Sequence, residues 1–399
     1  MINTPKGLRL HIGIFGRRNV GKSSLANLIT NQTISIVSNI AGTTTDPVEK
    51  AMEIYPLGAV VLIDTAGIDD EGSLGKRRVE RTKKVIDKTD IAIIVTESNR
   101  WGEFEEELLK IFESKATPFM VVCNKIDIDE PSLDFVKMLR AKSPCFLAMS
   151  AKEAHHRELF FEKIQEIVPQ SWIKSPTLLG DLVGSGDIVI LVTPIDIQAP
   201  KGRMILPQVQ ALRDTLDKDA ICIFVKEDEL VNIFATLNKK PKLVVCDSQC
   251  VLSTVKNTPK DVMLTTFSIL MAKLKGDLSA LVNGAAVINT LKNGDKILIA
   301  EACTHHELKG DIGREKIPNW LTEYTKANLQ ISHCNGRDYP DNVGEYRLII
   351  HCGGCVINGQ EMLSRIDKAQ NANVPITNYG VAISLLQGVL ERAIEPHKL

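Results

Sequence analysis

A phosphate-binding motif stands between an apolar run and a helical pattern near the start of the chain. Gly16, Gly21, Lys22 and Ser23 occupy the fixed positions of G-x-x-x-x-G-K-[ST], directly after the β-rich run 8–15. The glycines let backbone N–H groups curl around a phosphate at the positive end of the following helix. The lysine reaches the β- and γ-phosphate oxygens, and the serine hydroxyl binds Mg²⁺. A strand, this loop and a helix in that order constrain the segment to an α/β fold with a mainly parallel sheet.

A second motif predicts a position close to the metal ion and the terminal phosphate. Asp64-Thr-Ala-Gly67 ends the apolar run 59–63. A carboxylate at Asp64 would lie near Mg²⁺, and the N–H group of Gly67 would lie near the γ-phosphate. We therefore expect Asp64 and Gly67 to take part in hydrolysis together with Lys22.

Two further motifs predict which base the site binds. Asn124-Lys125-Ile126-Asp127 follows one apolar run, and Ser150-Ala151-Lys152 follows the next. The Asp127 carboxylate can accept hydrogen bonds from the N1–H and 2-amino groups of guanine, and a base that leaves such groups unpaired is rejected. The residues expected around the nucleotide are Gly16, Asn19, Val20, Gly21, Lys22, Ser23, Ser24, Asn124, Lys125, Asp127, Ser150, Ala151 and Lys152. The four motifs together predict a site for GTP and GDP with Mg²⁺.

Strand and helix patterns alternate along the whole chain in three segments. A passage rich in Pro, Gly and Ser, 169–187, separates the first segment from the second, and another boundary falls near Gly276. With 399 residues the chain is too long for one ordinary domain. We predict three α/β domains: a P-loop domain over 1–170, a second domain over 180–270 and a third over 277–399.

Charge and hydropathy exclude several classes of protein. The 48 Lys and Arg residues balance the 49 Asp and Glu residues, so no basic field attracts nucleic acid or anionic lipid. The longest apolar runs, such as 187–193, are far shorter than the roughly 20 residues that cross a bilayer. The N-terminal residues show no signal-peptide pattern, and nine scattered cysteines do not form a disulfide framework. We expect a cytoplasmic protein without nucleic-acid or membrane partners.

Two motifs with metal-ligand spacing follow strands of the third segment. They are Cys303-Thr-His305-His306 and His351-Cys352-Gly-Gly-Cys355. The carboxyl ends of parallel strands meet in one crevice, so we expect the two motifs to lie together. Three thiolates and a replaceable fourth ligand suit a 4Fe–4S cluster with one open iron, whereas Cys303, His305, Cys352 and Cys355 equally suit a structural zinc ion. His306 or His351 could replace His305, and a site without metal also stays open.

The P-loop segment resembles the translation-factor-related GTPases of the TrmE–Era branch over roughly residues 8–165. The sequence Ala41-Gly-Thr-Thr44-Thr-Asp46 is similar to the switch I sequence of that branch, which implies that Thr44 contacts Mg²⁺. Asn19 matches the asparagine through which some members hold an activating K⁺. The residue after Gly67 is Ile68, so the water-positioning glutamine of Ras-type enzymes is absent and we expect slow intrinsic hydrolysis.

The chain as a whole resembles the HydF-type FeFe-hydrogenase maturation GTPases. The resemblance rests on a TrmE-like segment, a middle α/β segment, and a C-x-H motif followed 46 residues later by H-C-G-G-C. It implies that Cys303, Cys352 and Cys355 hold a 4Fe–4S cluster with His305 as a variable fourth ligand. It further implies a homodimer formed through roughly 180–270, a di-iron precursor as cargo, and transient partners. Those partners would be radical S-adenosylmethionine enzymes and the apo-FeFe-hydrogenase that receives the precursor.

The main alternative is an RNA-modification or ribosome-assembly GTPase with a structural zinc domain. It is disfavoured because the segment after Gly276 has no basic stripe and no signature of an RNA-binding module. A third hypothesis is a regulatory GTPase whose cluster only senses oxygen.

Overall fold

The computed structural model describes most of the chain in two compact units, Met1–Ser175 and Pro176–Leu399. The described residues are 4–31, 47–65, 82–169, 172, 177–194, 204–303, 310–336 and 338–398.

The first unit is built on a six-stranded sheet. Its strands are β1 (Leu10–Phe15), β2 (Val48–Ile54), β3 (Gly58–Asp64), β4 (Ile91–Glu97), β5 (Phe119–Asn124) and β6 (Phe146–Ala148). They lie in the order β2-β3-β1-β4-β5-β6, with β2 antiparallel to β3 and every other pair parallel. Strand β1 is buried along its whole length, as expected of a parallel strand that is covered on both faces.

Helices cover both faces of this sheet. Helices of the first unit include α1 (Lys22–Thr30), α2 (Glu103–Ser114), α3 (Leu133–Lys142) and α4 (His156–Ile167). Leu25 of α1 and Phe160 of α4 share one hydrophobic core with Ile12. Phe112 of α2 and Leu139 of α3 belong to the core of the opposite face. The apolar residues of each helix therefore fix which face of the sheet it covers.

The second unit contains two four-stranded sheets, and both are fully parallel. The first has the order β10-β9-β7-β8 and the second the order β12-β11-β13-β14. The strands are β7 (Ile188–Val192), β8 (Ile221–Val225), β9 (Leu243–Cys246), β10 (Met263–Thr266), β11 (Lys296–Glu301), β12 (Gln330–Asn335), β13 (Leu348–His351) and β14 (Ile376–Asn378).

One hydrophobic core joins the two sheets of the second unit. The helices here are α5 (Leu206–Asp217), α6 (Leu230–Thr236), α7 (Val251–Asn257), α8 (Phe267–Lys275), α9 (Leu278–Ala285), α10 (Ile317–Thr325), α11 (Gly359–Asn371), α12 (Tyr379–Leu386) and α13 (Leu390–Ile394). Ile190 and Val244 of the first sheet share a core with Ile299 and Ile350 of the second. None of the helices in the described parts of the chain is long and apolar enough to cross a membrane.

The predicted fold class, α/β with mainly parallel sheets, is confirmed. Two strands were not predicted: β2 is a half-exposed edge strand, and β14 has only three residues. Gly388, which has a φ of 69°, separates helices α12 and α13. The division into three domains stays a prediction, since the compact units do not separate 180–270 from 277–399.

Gly284 provides a test of the packing between α9 and β14. A Cβ atom at this position would lie 2.0 Å from the carbonyl oxygen of Ile376, and a backbone atom has little room to yield. We expect Gly284→Ala to lower the free energy of unfolding by roughly 1–3 kcal/mol, since overpacking outweighs the gain in helix propensity. Urea unfolding followed by circular dichroism measures the loss. Gly184→Ala is the control, because its Cβ would lie 3.8 Å from the nearest atom. Equal stability of the two variants would contradict the packing described.

Candidate functional site

The loop between β1 and α1 requires glycine at two positions. Gly21 has a φ of 92° and immediately precedes α1. A Cβ atom on Gly21 would lie 2.2 Å from Nδ2 of Asn124, and one on Gly16 would lie 2.4 Å from the carbonyl oxygen of Val95. The loop is therefore packed closely against the ends of β4 and β5, with its backbone leading into the N-terminus of α1. That is the geometry in which N–H groups bind a phosphate.

Lys22 and Ser23 lie where the phosphate motif predicts them. The Lys22 ammonium is buried and donates to the carbonyl oxygens of Gly16 at 2.9 Å and Arg17 at 2.6 Å. The Ser23 hydroxyl donates to Oδ2 of Asp64 at 2.6 Å, because parallel pairing of β1 with β3 brings the two strand ends together. Hydroxyl and carboxylate oxygens are ligands that Mg²⁺ prefers. These residues therefore fit a magnesium ion.

An ion pair that sequence reasoning missed holds the phosphate loop from its other side. Arg17 donates to both carboxylate oxygens of Glu105, at 2.7 and 2.8 Å, and its guanidinium lies 5.5 Å from the ring centre of Phe104. Glu105 is buried and also accepts from the N–H of Gly102 at the start of α2. Bidentate pairs of this kind fix geometry as well as charge. No local pattern pairs residues 88 positions apart, so only the fold reveals this contact.

Asn124 connects the phosphate loop to the base-binding loop. Its amide group donates to the carbonyl oxygen of Val20 at 2.9 Å, and its side-chain oxygen accepts from the N–H of Ala151 at 2.9 Å. Asn124 is buried at the end of β5, so both hydrogen bonds are shielded from water. The asparagine therefore fixes the distance between the two halves of the nucleotide site.

The structure places Asp127 between two donors of the neighbouring loop. The Ser150 hydroxyl donates to one carboxylate oxygen at 2.7 Å, and the Lys152 ammonium donates to the other at 3.0 Å. The hydrogen bond from Ser150, followed by that from Lys152, lowers the pKa of Asp127. The carboxylate is thus held ionised as a pure acceptor, as recognition of guanine requires.

A second candidate site lies in the other unit, where the two cysteine motifs follow adjacent strands. Strand β11 pairs with β13 in a register that opposes Ala300 to His351, so Cys303 and Cys352 follow neighbouring strand ends. The Cys352 sulfur accepts from the N–H of Ala302 at 3.1 Å. Burial raises the pKa of Cys352 to about 12 and that of Cys303 to about 11, and Cys355 acts electrostatically on both thiols. The three predicted cysteines are therefore close enough to influence one another.

His351 is fully engaged by protein groups, so it does not act as a free fourth ligand. Its Nε2 faces a guanidinium nitrogen of Arg365 at 3.0 Å, and its Nδ1 lies 2.7 Å from the carbonyl oxygen of Cys352. Because arginine can only donate, Nε2 accepts and Nδ1 carries the proton. Burial, reinforced by Arg365, lowers the pKa of His351 to about 3, so the ring is neutral. His351 orients the cysteine loop.

Four of the predicted site residues lie outside the described parts of the chain: Thr44, Gly67, His305 and His306. Asn19, the predicted potassium ligand, is exposed on the phosphate loop with a φ of 61°. Asparagine tolerates this left-handed conformation better than most residues do.

Three family models match successive parts of the chain. The sequence model described as a 50S ribosome-binding GTPase matches residues 11–125. The model of the hydrogen maturase F dimerization domain matches residues 178–276, and that of the hydrogen maturase F tetramerization domain matches residues 279–396. The first unit therefore carries a GTPase domain.

Individual relatives resemble the GTPase segment. GTPase Der of Wolinella succinogenes is 33% identical over 178 residues, which are 42% of this chain and 38% of the relative. GTPase Der of Campylobacter jejuni is 34% identical over 169 residues, which are 40% of this chain and 36% of the relative. The match thus spans less than two fifths of these relatives. A crystal structure of Era with MgGDPNP and a 16S ribosomal RNA fragment is 28% identical, with a TM-score of 0.37, over 40% of this chain and 57% of that one.

Asp127 provides a test of base recognition. We expect the chain to prefer GTP over ATP by at least roughly tenfold, because adenine lacks the donors that this carboxylate accepts. Asp127→Asn replaces one acceptor oxygen with a donor, so it should weaken GTP binding and favour xanthosine triphosphate. Competition against a fluorescent GDP analogue measures both effects. Asp129→Asn, an exposed neighbour outside the motif, should change neither. Equal affinities for GTP and ATP in the unmodified chain would refute the assignment.

Proposed function

Because the chain belongs to the HydF-type hydrogenase maturation family, whose two hydrogen maturase F models together match more than half of it, we propose that it is a GTP-hydrolysing iron–sulfur scaffold. The scaffold assembles the di-iron precursor of the active-site cofactor and delivers it to apo-FeFe-hydrogenase. The observation that carries the proposal is the presence, in one chain, of a GTPase domain and of three cysteines that meet at adjacent strand ends of a hydrogen maturase F segment. Radical S-adenosylmethionine enzymes that build the precursor are the other proposed partners.

Hydrolysis of GTP uses the residues of the first unit. Lys22 binds the β- and γ-phosphates, and the loop around it supplies N–H groups that orient them. Ser23 and Asp64 hold Mg²⁺, which neutralises charge that develops on the phosphates, and Thr44 and Gly67 complete the site in this proposal. Asp127 and the Ser150–Lys152 loop select guanine. Hydrolysis is slow, because no glutamine follows Gly67 to orient water.

A potassium ion at Asn19 would supply positive charge that other GTPases obtain from an arginine. The exposed position of Asn19 on the phosphate loop supports this proposal.

We expect GTP hydrolysis to be faster in K⁺ than in Na⁺ at equal ionic strength, because Asn19 matches the asparagine through which some GTPases of the TrmE–Era branch hold an activating K⁺. Asn19→Ala should remove the difference between the two salts while leaving hydrolysis in Na⁺ close to that of the unmodified chain. Phosphate release in matched chloride buffers measures both rates. Asn99→Ala is the control, since Asn99 also has a positive φ but lies outside the phosphate loop. Potassium activation that persists in Asn19→Ala would exclude this ligand.

The second unit holds the 4Fe–4S cluster through Cys303, Cys352 and Cys355. The N–H group of Ala302, which donates to the Cys352 sulfur, supports the proposal, because hydrogen bonds of this kind orient and stabilise thiolate ligands. A cluster bound by three thiolates supplies one iron whose fourth ligand can exchange, which suits a carrier. With His351 engaged elsewhere, His305 is the proposed variable ligand.

An exposed apolar edge supports assembly into a homodimer. Strand β8 lies at the edge of its sheet, within the segment matched by the dimerization model. Ile221 on this strand is 52% exposed, and Leu216 of α5 and Val231 of α6 are each 55% exposed. An uncovered apolar edge strand favours pairing with another chain. We propose that two copies pair through β8, and that residues 279–396 extend the assembly further.

The cysteine assignment is tested by comparing thiols of the same unit. We expect Cys303→Ala, Cys352→Ala and Cys355→Ala each to lose most of the bound iron and sulfide, while GTP hydrolysis stays within about twofold because its residues lie in the other unit. His305→Ala should lose less. Cys334→Ala and Cys250→Ala are controls that should keep their iron, since neither thiol belongs to the two motifs.

Cells that co-express apo-FeFe-hydrogenase and the radical enzymes test delivery. Hydrogen evolution should require this chain and should fall to background in the three ligand variants but not in the controls. Undiminished hydrogen evolution without the chain would overturn the scaffold proposal. Zinc in place of iron after anaerobic purification would favour the alternative, a GTPase with a structural zinc domain.

A further inference from the structure

A buried lysine outside both cysteine motifs reaches into the loop that carries two of the three thiols. Lys275 is the last residue of α8 and is only 5% exposed to solvent. Its ammonium group donates to the carbonyl oxygens of Gly354 at 3.1 Å, Cys355 at 3.2 Å and Ile357 at 2.7 Å. The three donors of an ammonium group are thus all used on one short stretch of backbone. Lys275 therefore determines how the loop after Cys352 is folded.

The loop turns at Gly354, between the two cysteines of the second motif. Gly354 has a φ of 62°, and a Cβ atom there would lie 2.4 Å from the end of the Met362 side chain. Glycine adopts this left-handed conformation without strain and also leaves room for Met362. The carbonyl groups that Lys275 binds lie on both sides of Cys355. The direction of that thiol consequently depends on the lysine.

Among the described residues, no carboxylate forms an ion pair with this lysine. Its hydrogen-bond partners in the described structure are backbone carbonyls, which are dipoles and carry no full negative charge. The groups that act on it electrostatically are first Cys355 and Cys352, whose sulfurs become anionic as thiolate ligands of a metal group, and then Glu361. Glu361 already accepts from Arg365 at 2.8 Å. A buried charge is costly unless an opposite charge lies near it.

We propose that Lys275 is the positioning residue and the buried counter-charge of the iron–sulfur group held by Cys303, Cys352 and Cys355. The inference rests on the cluster assignment in the proposed function. Three thiolates give an oxidised 4Fe–4S core a net negative charge, and reduction makes the group more negative. A fixed positive charge close to Cys352 and Cys355 stabilises the reduced form more than the oxidised one and so raises the reduction potential.

Lys275 also connects two parts of the chain that match different family models. Lys275 lies in the part matched by the dimerization model, whereas the loop it binds lies in the part matched by the tetramerization model. Helix α8 is closely packed against the second part: a Cβ atom on Gly380 would lie 2.4 Å from Cβ of Ser268, and Asn378 donates to the carbonyl of Ser268 at 3.1 Å. The position of the ammonium is therefore fixed by tertiary packing.

The test compares three variants of the full chain after anaerobic reconstitution with iron and sulfide. Lys275→Met removes the charge at similar length, Lys275→Arg keeps it, and Lys273→Met removes an exposed lysine from the same helix as a control. We expect Lys275→Met to have a lower midpoint potential in an EPR-monitored titration and to release iron to a chelator roughly tenfold faster. Lys275→Arg should stay close to the unmodified chain in potential, and Lys273→Met should match it in both measurements.

Two results would overturn the inference. The first is a Lys275→Met variant with the potential and iron release of the unmodified chain. The second is loss of iron in Lys275→Arg as complete as in Lys275→Met, which would show that side-chain shape rather than charge matters. If Lys275→Met cannot hold iron at all, Lys275→Arg with an unchanged potential supports the inference. If the unmodified chain binds no cluster, the proposed function is refuted, not the inference about Lys275. Reconstitution of the unmodified chain shows this before any variant is measured.

Discussion

Parallel strand pairing is the constraint on which both sites of this protein depend. In the first unit, pairing of β1 with β3 opposes Ile14 to Asp64 and so brings the Asp64 carboxylate to the Ser23 hydroxyl. In the second unit, pairing of β11 with β13 opposes Ala300 to His351 and so brings Cys303 near Cys352. Ligands of parallel α/β sheets bind at the carboxyl ends of the strands, so the strand pairing itself brings the residues of each site together. The loops that follow the strands supply the chemistry.

Buried polar contacts then turn these loops into sites of fixed geometry. Asn124 joins the two halves of the nucleotide site, and the pair between Arg17 and Glu105 anchors the phosphate loop to α2. In the other unit, His351 and Lys275 hold backbone carbonyls of the cysteine loop. Each of these side chains sets where ligand-binding groups lie. Removing one partner of a buried contact is costly, because the other partner is left unsatisfied.

The two units carry different ligand groups, and each group suits one part of the proposed function. The first contains oxygen and nitrogen groups arranged for a nucleotide and Mg²⁺, and the second contains sulfur groups suited to iron. A nucleotide state can influence cluster delivery only through a difference in contacts between GTP and GDP forms, and such coupling is typically about 1–3 kcal/mol. A modest bias of that size suits a carrier, since the cargo must be held firmly and still be released.

The sequence by itself determined the fold class, the identity of the nucleotide motifs and the three candidate thiols. Glycine, lysine and cysteine spacings act over a few residues, and periodic apolar runs indicate parallel strands. Only the tertiary structure decided that His351 orients the loop rather than staying available as a ligand, because its partner Arg365 comes from a helix 14 positions further along the chain. It also brought Glu105 to Arg17 and Lys275 to the cysteine loop, over separations of 88 and about 80 residues. Burial and charge pairing between distant segments arise from packing, and no local pattern encodes them.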